Sequence, residues 1–179
     1  MKFTDKLKKM GACEVAVEFA AKYSSLQETW DACDRGDWML WLIGKKAGKP
    51  DSKSRKKLVL TVCKCARLSL KYMEKNEKRP LITIQTVEKW AKGQGDISLA
   101  DVRAAAAASA DAAAYAAYAA AYAAYAADAT TYAAADVTAY AADAAADAVA
   151  DIAYVVERKK ILKKCADIVR KSYPKALRI

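Results

Sequence analysis

The sequence predicts an all-α fold, a helical bundle in one domain of 179 residues. Three observations support this prediction. Apolar residues recur at helical spacing, strand-type alternation is absent from the sequence, and the stretch from Ser98 to Tyr154 is mostly Ala, the best helix former. The domain comprises a basic helical part with a Trp-rich core (1–97), Ala/Tyr/Asp-rich helices (98–153) and a basic C-terminal helix (154–179).

The chain begins with two predicted helices. Apolar residues at helical spacing predict a helix from Thr4 to about Tyr23. A shorter helix follows from Leu26 to Cys33, with Ser24 or Ser25 as its N-cap. Because Glu28 stands three residues after Ser25, the two residues form the pattern of a capping box.

A turn separates these helices from an apolar one. In the turn, Asp34 to Asp37, Gly36 supplies the permissive backbone and Asp37 is predicted to cap the next helix. The following residues, Trp38 to Ile43, are apolar on nearly every side of a helix. We therefore expect this helix to be buried.

Residues typical of helix ends also predict where the helices in the second half of the basic part begin and end. A longer helix is predicted from Ser52 to about Met73. Pro80 suits the first turn of the next helix, where its missing N–H costs no hydrogen bond, and Gly93 ends that helix. Ser98, with Asp101 three residues later, is predicted to begin the Ala-rich segment.

The Ala-rich segment has two distinct faces. One carries a stripe of Tyr and Asp, and the opposite face is almost pure Ala. We interpret the Ala face as the packing seam, within the bundle or in a homodimer, and the Tyr/Asp face as a partner surface; the alternative is that Tyr fills the core. A break is predicted at Asp128 to Thr131. The stripe includes Tyr115, Tyr118, Tyr122, Tyr125 and Tyr132.

The net charge of +10 is unevenly distributed. Residues 1–97 contain 21 Lys and Arg against 12 Asp and Glu, 98–153 contain 1 against 7, and 154–179 contain 9 against 2. The acidic middle and the basic ends could attract each other within the fold. Alternatively, the basic ends form a positive patch for an anionic partner. Sequence-specific nucleic-acid binding is not expected, because no motif of that kind is present.

Several common kinds of active site are disfavoured. The chain contains no His, the commonest general base and metal ligand. Cys63 and Cys65 would point about 200° apart on a helix, so they cannot share a metal ion. We predict a non-enzyme without metal or cofactor. Five cysteines and no signal peptide indicate buried, reduced thiols in a cytoplasmic protein, and Asp residues interrupt the Ala-rich stretch too often for a membrane span.

Several segments and the Ala-rich helix carry a family resemblance. The segments are Ala12–Cys13, Ser25–Cys33, Arg35–Leu42, Lys57–Leu60 with Cys63–Arg67, and Arg79–Trp90. Together with the basic C terminus, they resemble, in order, the alanine-rich immunity protein family that is associated with bacterial polymorphic toxins and also found in phages. The resemblance spans most of the chain. It implies an all-helical, non-catalytic protein that neutralises its target by binding it.

Two binding hypotheses follow. The first is an immunity protein that sequesters a protein toxin or defence effector, with exposed Tyr as anchors. The second is a phage counter-defence sponge that captures a nucleotide immune signal, with Arg and Lys on the phosphates and aromatic rings on the base. Plain core packing is the alternative for each Trp. For each Arg, the alternative is a solvated charge or an ion pair with Asp34 or Asp37. The candidate binding residues are Arg35, Asp37, Trp38, Arg67, Arg79, Trp90, Arg103, Tyr115, Tyr118 and Tyr122, with Trp41 and Arg55 as further candidates.

Overall fold

Helices make up all the regular secondary structure in the part of the chain that the computed structural model describes, which confirms the predicted all-α class. The described residues are 2–49, 52–72, 78–102, 104 and 159–179. The predicted break at residues 128–131 and the Ala packing seam lie outside them. The helices are α1 (Phe3–Lys9), α2 (Glu14–Ala20), α3 (Leu26–Ala32), α4 (Gly36–Lys46), α5 (Lys53–Ala66), a 3-10 helix (Arg67–Tyr72) and α6 (Arg79–Lys92). Residues 99–102 and 104 are also helical, and the described part of the last helix, α7, spans 159–172.

The single helix predicted from residue 4 to 23 is two helices. Gly11 adopts a left-handed backbone with φ of 87°, which favours Gly because it lacks a Cβ. The Gly11 N–H donates to the carbonyl of Lys8 at 2.9 Å, and the Ala12 N–H donates to that of Leu7 at 3.0 Å. These bonds cap α1 and turn the chain into α2.

The predicted cap of α3 is confirmed in part. The Ser25 hydroxyl accepts a hydrogen bond from the Glu28 N–H at 3.1 Å. The Glu28 carboxylate, however, accepts from the N–H of Ser24 at 3.0 Å instead of from Ser25. Because α3 ends at Ala32, its predicted length is correct to within one residue.

The start of α4 differs from the prediction. Arg35 is the N-cap residue, and Asp37 lies inside the first turn instead of capping it. Gly36 is also helical, so its role is not to form a turn. A Cβ at Gly36 would lie 2.4 Å from the Cβ of Cys165, which means that α4 approaches the backbone of α7 closely here.

The start of α5 and both ends of α6 follow their predicted signals, but the helix predicted from Ser52 to about Met73 ends as an α-helix at Ala66 and continues as a 3-10 helix over Arg67–Tyr72. Ser52 is the N-cap of α5 and accepts from the Arg55 N–H at 3.2 Å. Pro80 lies in the first turn of α6, and Gly93 ends the helix with a left-handed φ of 66°. The predicted Ser98 cap is present as well, since its hydroxyl accepts from the Asp101 N–H at 3.2 Å.

Helix α7 packs antiparallel to α5. The Cys65 thiol is close enough to the Cys165 thiol for Cys165 to raise its pKa, and further along the pair the Lys57 ammonium lies 4.3 Å from the centre of the Tyr173 ring. Both helices contribute fully buried side chains to one apolar core shared with α4 and α6. These side chains include Leu40, Leu58, Val59, Val62, Ile84, Val87, Ile161, Leu162 and Val169.

Candidate functional site

An apolar groove lies among the first four helices. It has a volume of about 60 Å³, and its lining is almost entirely hydrocarbon and aromatic. Phe19, Trp38 and Trp41 are only half-buried and form its accessible part, whereas Trp30 is buried at its base. We call this feature the aromatic groove, defined by Phe19, Leu26, Trp30, Trp38, Met39 and Trp41.

The rings beside the aromatic groove hold one another in place. Phe19 of α2 packs against Trp38 of α4 with ring centroids 5.8 Å apart and planes tilted by 56°. Tyr23, four residues after Phe19, packs against its other side at 5.2 Å. Such tilted ring pairs contribute more to stability than the burial of their area alone. The half-buried rings therefore have defined positions.

The side chain of Arg35 is fixed at the edge of the aromatic groove. Its guanidinium donates two hydrogen bonds to the Asp37 carboxylate, one of them from Nε to Oδ1 at 2.8 Å and the other from Nη2 to Oδ2. The same guanidinium lies 4.4 Å from the centre of the Trp38 ring. Because Asp37 is only 6% exposed, Arg35 supplies the counter-charge that this buried carboxylate requires.

A second cation lies over one of the aromatic rings that line the aromatic groove. The ammonium of Lys45, one turn after Trp41 on α4, is 5.5 Å from the centre of the Trp41 ring. Cation–ring contacts of this kind are worth roughly 0.5–1 kcal/mol at exposed sites. The accessible aromatic rings of α4 therefore each have a basic residue beside them.

Arg67 and Trp90 belong to a different part of the molecule. Arg67 donates from Nε and Nη2 to the two carboxylate oxygens of Glu88 on α6, both at 2.9 Å. These hydrogen bonds hold the pKa of Glu88 below its usual range. Trp90 is buried in the core with the Lys56 ammonium 5.4 Å from its ring, and Arg79 is exposed at the first residue of α6.

The structure therefore joins three of the predicted binding residues, Arg35, Asp37 and Trp38, in direct contact. Arg103 and the three tyrosines Tyr115, Tyr118 and Tyr122 lie outside the described residues. Phe19 and Tyr23 had not been selected as site residues. Their four-residue spacing, which would place them on one face of the helix predicted to reach Tyr23, is the sequence signal that could have identified them.

The cysteines do not form a reactive centre in the described residues. Four are buried as predicted, but Cys13 is exposed because it precedes the first turn of α2. Burial raises the pKa of Cys33 to about 11 and that of Cys63 further, so these thiols stay protonated and are weak nucleophiles and metal ligands. No group of three or more Cys, Asp or Glu arranged to hold a metal ion occurs within the described ranges.

Comparisons of the chain with protein-family models, curated proteins and solved structures found no match. In the described part of the chain, every helix is too short or too polar to span a lipid bilayer. The geometry of the aromatic groove is therefore the main guide to function.

Proposed function

We propose that this chain is a non-catalytic, immunity-type binding protein that neutralises a protein toxin or defence effector by sequestering it. The observation that carries the proposal is the aromatic groove, in which Phe19, Trp38 and Trp41 are only half-buried and the rings of Phe19 and Trp38 pack against each other. Aromatic residues and Arg dominate the binding energy of protein interfaces, because they bury large areas at small entropic cost. The proposal places the protein in the cytoplasm, where its thiols stay reduced.

The size of the aromatic groove favours a protein partner. Its volume of about 60 Å³ is well below the roughly 300–1,000 Å³ of pockets that enclose small-molecule ligands. One apolar side chain of a partner could enter it, with the surrounding rings as a contact surface. Arg35 and Lys45 would then form the polar rim expected around such an anchor.

The nucleotide-sponge hypothesis receives less support from this site. A nucleotide needs donors for its phosphates, but the lining of the groove is apolar and the Arg35 guanidinium is already bonded to Asp37. Arg67 is likewise bonded to Glu88. Each of these two arginines is therefore already paired with a carboxylate of its own.

The proposal is tested by co-expressing the chain with the protein encoded next to it and measuring both survival of the host and co-purification. We expect the wild-type chain to protect the host and to bind that protein. Trp41→Ala should keep the helical content, since Trp41 is half-buried, yet weaken binding by at least about thirtyfold, as expected when an interface anchor worth about 2 kcal/mol is lost.

Ile82 provides the matched control, because it is an apolar side chain on α6 that is 53% exposed and does not line the groove. Ile82→Ala should bind and protect like the wild type. The groove is the wrong surface if Trp41→Ala binds normally. The whole proposal fails if the chain neutralises no neighbouring protein but retains a nucleotide that is released intact on heating.

A further inference from the structure

A buried cation lies where α5 begins and α7 ends, and it has no carboxylate partner in the described part of the chain. Arg55 is 6% exposed, although arginine is rarely buried without an ion pair. Its Nε donates to the carbonyl of Gly48 and its Nη2 to that of Ala47, each at 3.2 Å. Both acceptors are neutral, so these bonds orient the guanidinium but do not compensate its charge.

Two polar atoms remain unpaired at this point. Nη1 of Arg55 and the hydroxyl of Tyr173 are both buried, and neither has a hydrogen-bond partner among the residues that the structure describes. An unpaired buried polar group typically costs about 1–3 kcal/mol, and an uncompensated charge costs more. Burial also raises the pKa of Tyr173 to about 12, with Arg55 opposing the rise, so the phenol remains a neutral donor near the cation.

The surroundings reinforce the positive potential. The Lys57 ammonium lies 4.3 Å from the centre of the Tyr173 ring. The first turn of α5 contains no acidic residue, and the amino end of this 14-residue helix adds the positive end of its dipole. Burial lowers the pKa of Arg55, and the electrostatic influence of Tyr173 opposes this shift.

We propose that Arg55 and Tyr173 form a binding site for a small phosphate-type oxyanion, either free phosphate or a phosphate monoester. One oxygen of the anion would accept from Arg55 Nη1 and another from the Tyr173 hydroxyl, which would pair both buried donors at once. The negative charge would compensate the guanidinium, and the Lys57 ammonium on the face of the Tyr173 ring would add to the positive potential nearby.

Tyr173 lies at the end of α7. It follows the last residue of the helix, at 172, and precedes Pro174, which cannot continue the helix. Its carbonyl accepts a hydrogen bond from Trp30 Nε1 at 3.0 Å, so the proposal requires a movement of the Tyr173 side chain to admit the anion. The site is independent of the proposed immunity function, because neither Arg55 nor Tyr173 lines the aromatic groove.

The test is titration calorimetry of the full chain with sodium phosphate and, separately, with adenosine monophosphate, against sodium chloride at equal ionic strength. We expect both phosphate probes to bind more tightly than chloride. If the nucleotide binds more tightly than inorganic phosphate, the natural ligand is a monoester; the reverse order identifies free phosphate. The proposal is overturned if neither probe binds better than chloride.

Tyr173→Phe is the decisive variant. Because the hydroxyl has no partner, its removal should leave the unfolding temperature without phosphate unchanged or slightly raised. Phosphate affinity should fall about tenfold, the equivalent of one good hydrogen bond. Lys53→Gln, which removes an exposed cation from the same turn of α5, is the matched control and should change affinity by less than about threefold. Equal phosphate affinity in Tyr173→Phe and wild type would refute the site.

Discussion

Gly36 and Cys165 are in such close contact that no side chain fits between α4 and α7 at this point. A Cβ at Gly36 would lie 2.4 Å from the Cβ of Cys165 and 2.7 Å from the backbone nitrogen of Ala166. The second neighbour is backbone, so the clash cannot be relieved by a rotation of the Cys165 side chain. Helices α4 and α7 can therefore approach this closely only because Gly36 has no side chain.

We predict that Gly36→Ala destabilises the protein by about 2–3 kcal/mol, the cost of overpacking a core. The measurement is the free energy of unfolding in urea. Gly93→Ala is the matched change, because a Cβ there would meet nothing within 4 Å and only the left-handed backbone is strained, at about 1 kcal/mol. Similar losses for the two variants would contradict the close approach of the helices.

Arg170 joins α7 to the end of α3. Its Nη1 donates to the Cys33 carbonyl at 2.6 Å and to the Trp30 carbonyl at 3.4 Å, so it satisfies backbone groups that the end of a helix leaves unpaired. We expect Arg170→Met to lower the free energy of unfolding by about 1–3 kcal/mol. The adjacent, exposed Lys171→Met should change it by less than about 0.5 kcal/mol. An effect of equal size in the two variants would show that only net charge matters.

The ion pair of Arg67 and Glu88 should make stability depend on acid pH. Hydrogen bonds to Arg67 lower the pKa of Glu88 from 4.5 in the folded protein. The ionised Glu88 therefore stabilises the fold above pH 4.5, and this stabilisation is lost as the pH falls through the lowered pKa of the folded state. Because the Arg67 side chain is 38% exposed, the contribution should stay below about 1 kcal/mol. Urea unfolding of Glu88→Gln should show reduced stability at about pH 7 and a smaller difference from wild type at about pH 3.

Glu18→Gln on α2 removes an exposed carboxylate and serves as the control for this series. A constant difference between Glu88→Gln and wild type at both pH values would mean that ionisation of Glu88 does not contribute to folding.

Buried Cys33 should make the protein less stable in alkali. Its pKa is raised from 9.0 to about 11, mainly by burial, so its contribution to stability is present below pH 9 and is lost as pH rises towards 11. The loss amounts to about 2–3 kcal/mol from this thiol. Cys33→Ala should therefore show a shallower fall in thermal stability over this range than wild type. Cys13→Ala, at an exposed position, should retain the wild-type slope.

The residues of the candidate site illustrate what the sequence could and could not predict. Arg35, Asp37 and Trp38 were identifiable because they lie close together in the sequence and combine a cation, a carboxylate and an aromatic ring. Their arrangement was predicted incorrectly in one respect: Asp37 pairs with Arg35 inside the first turn of α4 instead of capping the helix. The unpaired state of Arg55 and Tyr173 could not be predicted, because it depends on which groups the fold fails to bring near them.

The sequence by itself determined the helical class and most helix boundaries in the described residues. The signals at Ser25, Ser52, Pro80 and Gly93 act through hydrogen bonds and backbone angles within a few residues, so local chemistry is sufficient to predict them. Tertiary structure alone decided where helices meet. Arg170 and the Cys33 carbonyl are 137 residues apart in the chain, and only the packed core brings them together to bond.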